Sequence, residues 1–306
     1  MPWRETPEEL ARAWAEQPVV FDGPRGQLVG IYTPPAPEAA PADMCVVILS
    51  RPRFEHRRMS VQGARRMAAN GFACFRFDQN GWAESEGDDL PINPEKPRQA
   101  ETLTAIRYLR ERFQQKRFVM WGACLDGLSA LSAFDGEADA IEGLIVMSSP
   151  VTRLPSSDVY TWRNMSRWAF DAERWRQVLF SASTRKLARR AIKIALRGTM
   201  GRALGDEKLA VTFQQNFELL VKSRACALFL YGTEDEEYKT FQVAEQHLFP
   251  KLDAATRQRL KIEIWQGRVH SVLDVERQQQ VVERAISWVL ALHPSYNYKG
   301  AVASRA

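Results

Sequence analysis

The chain is poor in several features, and each shortage excludes something. It has four cysteines in 306 residues, Cys45, Cys74, Cys124 and Cys226. Three of them stand inside apolar runs, and none has the spacing of a metal site or a disulfide framework. A cysteine-stapled secreted domain is excluded, and a reducing, cytoplasmic compartment is expected. There is no run of about 18 apolar residues, so no membrane-spanning helix is expected. The opening Met1-Pro2-Trp3-Arg4 lacks the apolar core of a secretory signal. A net charge of +5 is small for this length, so a nucleic-acid surface is not expected. Histidine is scarce too: His56, His247, His270 and His293 are the only imidazoles available for acid–base work.

What is present is ordinary globular sequence, 45% hydrophobic and 26% charged. Residues 18–35 read as a β-hairpin turning at Pro24-Arg25-Gly26, and 34–41 as a loop. A regular alternation follows. Short apolar runs at 45–49, 73–77, 117–121 and 143–147 read as buried strands. Between them lie helical segments at 56–70, stopped by Gly71, and at 98–114, with Leu103, Ile106, Leu109 and Phe113 at helical spacing. A further helix is expected at 125–134. The rhythm breaks over 152–224, where no strand signal occurs. It resumes with strands at 226–231 and 260–265 and helices at 240–249 and 271–292. Strands alternating with helices predict an α/β fold with a mostly parallel central sheet and helices on both faces. The domain reading is a core of 1–151 and 225–306, with a helical cap inserted at 152–224.

One stretch stands out, Phe118-Val119-Met120-Trp121-Gly122-Ala123-Cys124-Leu125-Asp126-Gly127. An apolar strand runs into a small-residue helix with Cys124 at the junction. A sharp strand-to-helix turn exposes its central residue at the carboxyl end of the sheet and requires small neighbours. The helix N-terminus favours negative charge, which predicts a lowered Cys124 pKa and more thiolate. The Leu125 N–H is placed to serve as an oxyanion donor.

The segment resembles the nucleophile elbow of the α/β-hydrolase superfamily, Gly-x-nucleophile-x-Gly. It departs from it in having cysteine for the commoner serine, and Asp126 where the second glycine usually stands. The resemblance implies a triad in the order nucleophile, acid, base. The strand at 226–231 runs into Gly232-Thr233-Glu234-Asp235, which makes Asp235 the acid, with Glu234 competing. The loop Gln266-Gly267-Arg268-Val269-His270 after the last strand makes His270 the base. Two more segments resemble the superfamily. Asp78-Gln79-Asn80-Gly81-Trp82-Ala83-Glu84-Ser85-Glu86-Gly87 matches a site-shaping loop, with Ala83 for its second glycine. Ser50-Arg51-Pro52-Arg53-Phe54-Glu55-His56 takes the place of the oxyanion loop without the usual His-Gly. Pro52 has no N–H, so the second oxyanion donor is Arg53 or Phe54, with Arg53 preferred. Loosely, the pattern is similar to hydrolases associated with exopolysaccharide and exosortase systems.

In the cap, Tyr160, Trp162, Trp168, Phe170 and Trp175 either pack it onto the core or line an acyl or sugar pocket. Lys186, Arg189, Arg190, Lys193 and Arg197 form one helical stripe. It reads as a solvated face, with an anionic substrate or a peripheral membrane contact as alternatives. The activity expected is hydrolysis of an ester or thioester of a small molecule or carbohydrate, by a covalent acyl-enzyme on Cys124. An acyltransferase and a non-catalytic binding protein of the same fold stand as alternatives. No metal or cofactor is required.

Overall fold

The computed structural model describes residues 15–52, 55–88, 93–153, 208–270, 272 and 274–292. Eight strands form one sheet: β1 (Gln17–Gly23), β2 (Gly26–Thr33), β3 (Cys45–Leu49), β4 (Ala73–Phe77), β5 (Phe118–Ala123), β6 (Ile141–Met147), β7 (Cys226–Gly232) and β8 (Leu260–Trp265). Among helices of eight or more residues are α1 (Glu55–Ala69), α2 (Gln99–Phe113), α3 (Leu125–Ser132), α4 (Val211–Lys222), α5 (Glu236–His247) and α6 (Val275–Ala291).

The spatial strand order is β1-β2-β4-β3-β5-β6-β7-β8. The hairpin β1–β2 is antiparallel and joins β4 antiparallel; β4, β3, β5, β6, β7 and β8 are parallel. Every residue of β3 and β4 is buried, as continuous apolar runs covered on both faces must be. Arg76 on β4 tolerates burial because its guanidinium meets Glu16 at 3.0 Å. The chain moves from β3 to β4 on one side and to β5 on the other. The crevice outside the carboxyl ends of β3 and β5 is therefore the switch point where open α/β sheets bind ligands.

Register lines up the strand ends. Leu49 pairs with Gly122, Ala123 with Met147, Met147 with Leu230, and Gly232 with Trp265. The loops that follow, carrying Arg51, Cys124, Ser148, Asp235 and His270, consequently leave the sheet along one edge.

Described residues within Met1–Val151 and Ala210–Ala306 group into one unit, and those within Thr152–Leu209 into a second. In the second, Thr152 bridges Leu209 and the Arg153 N–H donates to the Lys208 carbonyl at 3.0 Å. Helix α4, which the sequence reading placed with the cap, groups with the sheet. Its N-cap, Ala210, has no side-chain acceptor. The Glu95 carboxylate accepts from the N–H groups of Val211 and Thr212 instead, each at 3.2 Å. The cap aromatics Tyr160, Trp162, Trp168, Phe170 and Trp175, and the basic stripe Lys186, Arg189, Arg190, Lys193 and Arg197, lie outside the described residues. No described helix is long and apolar enough to cross a membrane.

Candidate active site

Cys124 is the only residue between β5 and α3, so the chain must turn from strand to helix within it. It does so at φ 53°, ψ −129°, a region that costs a non-glycine residue about 1–3 kcal/mol. Its backbone is pinned on both sides. The Cys124 N–H donates to the Met147 carbonyl at 2.8 Å, and its own carbonyl accepts from Ser149 Oγ at 2.5 Å. Two glycines give the turn its room. A Cβ on Gly122 would stand 2.4 Å from the Asp126 carbonyl oxygen, and one on Gly127 2.2 Å from Ser149 Oγ. The displaced second glycine thus has a physical reason: Gly127, rather than residue 126, faces the serine that holds the elbow.

Asp126 is free to carry a side chain, and that side chain is buried. Arg51 Nε donates to Asp126 Oδ1 at 2.9 Å and to Oδ2 at 3.1 Å, and Gln79 Nε2 donates to Oδ1 at 3.1 Å. The Arg51 guanidinium lies 5.5 Å from the Trp82 ring centre. The elbow helix, the loop after β3 and the loop after β4 are thereby joined at one carboxylate. In the last of these, Ser85 Oγ donates to the Asp78 carbonyl at 2.7 Å, and Ala83 sits at φ 45°, a value glycine adopts at no steric cost.

Asp235 occupies the N-cap position of α5, yet its side chain does not cap the helix. Its Oδ2 is committed elsewhere, accepting from Ser148 Oγ at 2.5 Å, the Gly232 N–H at 2.9 Å and the Val269 N–H at 3.1 Å. The last of these fixes the residue before His270. Gly232 permits this approach, since a Cβ there would stand 2.3 Å from the Gly267 carbonyl oxygen. Glu234, the competing acid, is exposed, whereas Asp235 is buried. Helix α6 grips the same loop from the other side. Arg277 donates to the carbonyls of Arg268 at 3.0 Å and Gln266 at 2.5 Å, and Gln278 Nε2 donates to the Val272 carbonyl at 2.5 Å.

Helix α5 begins at Glu236, four residues before the expected start at Thr240. The acidic pair Glu236 and Glu237 falls in its first turn, where the helix dipole favours negative charge. This brings in a residue that sequence reasoning missed. The Glu237 carboxylate, Cys124 Sγ and a His270 ring nitrogen all lie within 4.8 Å of one another. The only signal was a second acid two places beyond Asp235, inside an acidic run that also reads as solvated surface.

The expectation of a lowered Cys124 pKa is overturned. The thiol is pushed up to about 12, chiefly by burial, then by the negative charges of Glu237 and Asp126. The Leu125 N–H, which hydrogen-bonds the sulfur, and Arg51 oppose the shift without cancelling it. Desolvation of a thiolate outweighs a helix terminus. Burial likewise raises the Glu237 carboxyl, reinforced by Asp235 and Glu236 and countered by its own N–H and by Arg268.

Of the residues singled out from sequence, Cys124, Leu125, Asp235 and His270 stand along this one sheet edge. Arg53 and Phe54 lie outside the described residues. For His56 only the backbone, in α1, is described.

The sequence profile described as serine aminopeptidase, S33 matches residues 40–287. Among solved structures, the chain is similar to an α/β serine hydrolase without lid from Xanthomonas campestris, at 13% identity and TM-score 0.54, covering 95% of this chain and 99% of that one. It is similar to a proline iminopeptidase from Mycobacterium smegmatis, at 14% identity and TM-score 0.54, covering 90% and 98%. A thermophilic esterase from Thermogutta terrifontis matches at 12% identity and TM-score 0.52, covering 90% and 99%. These likenesses establish the α/β-hydrolase fold. A search of curated proteins found no match.

Proposed function

The chain belongs to the serine aminopeptidase, S33 family of α/β-hydrolases, and we propose from that premise that it hydrolyses an ester or thioester with Cys124 as nucleophile. The observation that carries this reading is the backbone of Cys124. A strained single-residue elbow presents its sulfur within 4.8 Å of a His270 ring nitrogen. The neighbouring serines are not rivals, because Ser148 donates to Asp235 and Ser149 to the Cys124 carbonyl.

The raised thiol pKa favours proton transfer during attack over a preformed thiolate. Cys124 rests as S–H, so the proton has to leave as the sulfur attacks. His270 accepts it while the S–C bond forms and the carbonyl electron pair moves onto oxygen. The Leu125 N–H, and a second donor assigned to Arg53, stabilise that oxygen. Collapse expels the alkoxide or thiolate, which takes the proton from His270 and leaves a thioacyl-enzyme. Water, deprotonated by His270, then releases the acid and regenerates the thiol. Asp235 orients the base. The looser resemblance suggests an acyl group in exopolysaccharide metabolism.

The test is a panel of short-chain p-nitrophenyl esters and acyl thioesters. Wild type should turn over at least one of them, and Cys124→Ala should abolish that activity. Turnover that survives in Cys124→Ala contradicts the assignment.

A further inference from the structure

Cys124, Glu237 and His270 come from three different strand ends, yet they offer one sulfur, one oxygen and one nitrogen within 4.8 Å of one another. All three residues are half-buried, so the cluster is anchored but reachable from solvent. We propose that these three side chains form a binding site for a zinc-class divalent cation, one that closes reversibly over the nucleophile and the base.

The donor set selects the ion. Thiolate and imidazole suit zinc and poorly suit magnesium or calcium, which prefer an all-oxygen shell. Zinc binds sulfur at about 2.3 Å and nitrogen or oxygen at about 2.0–2.2 Å, so tetrahedral ligands stand about 3.5 Å apart. The present spacing reaches that geometry by side-chain rotation of roughly an ångström. Three protein ligands leave a fourth position for water. As the S–Zn bond forms, the Cys124 proton passes to solvent, His270 donates the lone pair that would otherwise take that proton, and Glu237 supplies a carboxylate oxygen. Binding stands on the cluster alone. Its inhibitory effect rests on the reading of Cys124 and His270 as nucleophile and base.

The experiment uses full-length, tag-free protein titrated with cobalt(II), a spectroscopic stand-in for zinc. Wild type should give a thiolate-to-cobalt charge-transfer band that saturates at one equivalent and is displaced by zinc. Cys124→Ser should lose the band, and Glu237→Gln should weaken binding by about tenfold or more. Cys226→Ser, a change of a remote thiol, should leave the band intact. Circular dichroism checks that each variant is folded. No band in wild type, or an unchanged band in Cys124→Ser, overturns the site. Zinc should also stop ester turnover, and a chelator should restore it. A cobalt band in a protein that hydrolyses nothing when metal-free keeps the site and removes the hydrolase reading. Turnover without any band does the reverse.

Discussion

Arg51 and Asp126, 75 residues apart in sequence, meet at 2.9 Å in an ion pair whose carboxylate is almost fully buried. The aspartate stands one residue after Leu125, the proposed oxyanion donor, and the arginine two residues before Arg53. The pair therefore ties the two segments assigned to hold the oxyanion.

Removing one partner of such a pair strands the other, at a cost of about 3–5 kcal/mol. Asp126→Gly, which installs the glycine common at this position, should destabilise the protein by about 3 kcal/mol, because Arg51 and Gln79 lose their acceptor. Adding Arg51→Met should recover at least about 1 kcal/mol of that loss. Urea unfolding of both variants measures the difference. Equal stability for the single and double variants would show that stranding Arg51 carries no penalty.

Ala83 stands at φ 45° in the loop after β4. The left-handed region costs an L-residue about 1–2 kcal/mol, while glycine loses about 0.5–1 kcal/mol of chain entropy. Ala83→Gly should therefore raise stability by up to about 1 kcal/mol, a small upward shift in Tm, and leave turnover unchanged.

Cys124 is protonated well past neutrality, with its pKa at about 12. A raised pKa means that the reactive thiolate is scarce at pH 7 and grows with pH. Alkylation by iodoacetamide should rise about tenfold per pH unit from pH 7 to 10, without a plateau. Glu237→Gln removes one of the charges that hold the pKa up, so this variant should alkylate faster than wild type at pH 8. A wild-type plateau near pH 7 would show a thiolate–imidazolium pair instead.

Asp235→Asn tests the proposed role of Asp235 as the triad acid. Its Oδ2 gathers Ser148 Oγ and the N–H groups of Gly232 and Val269, and an amide keeps the shape while losing the charge. The kcat should fall by about 10³–10⁴ with KM little changed, the pattern of a lost base-orienting carboxylate. Glu234→Gln, at an exposed side chain, should leave kcat unaltered. A larger loss from Glu234→Gln than from Asp235→Asn would reverse the assignment.

The sheet was legible because its strands are short apolar runs and its helices carry their own periodicity. The places of Cys124, Asp235 and His270 just beyond strand ends were legible because each follows such a run at a recognisable turn. What could not be read depended on distant residues. The partner of Asp126 is Arg51, reached only when β3 and β5 pair. Glu237 turns toward the sulfur because α5 starts at Glu236, and an acidic run does not reveal its direction. The thiol pKa followed burial, a tertiary property, rather than the local helix terminus. Asp235 looks like a helix cap in sequence, and only the fold shows its carboxylate committed to the His270 loop.

Whether Cys124 carries the acyl group is read by rapid-quench intact mass with a reactive acyl thioester. A single acyl increment should appear within the first turnover, mapped to the peptide holding Cys124, lost in Cys124→Ala and strongly slowed in His270→Ala. An increment on another residue, or full-rate turnover with Cys124 unmodified, would contradict it.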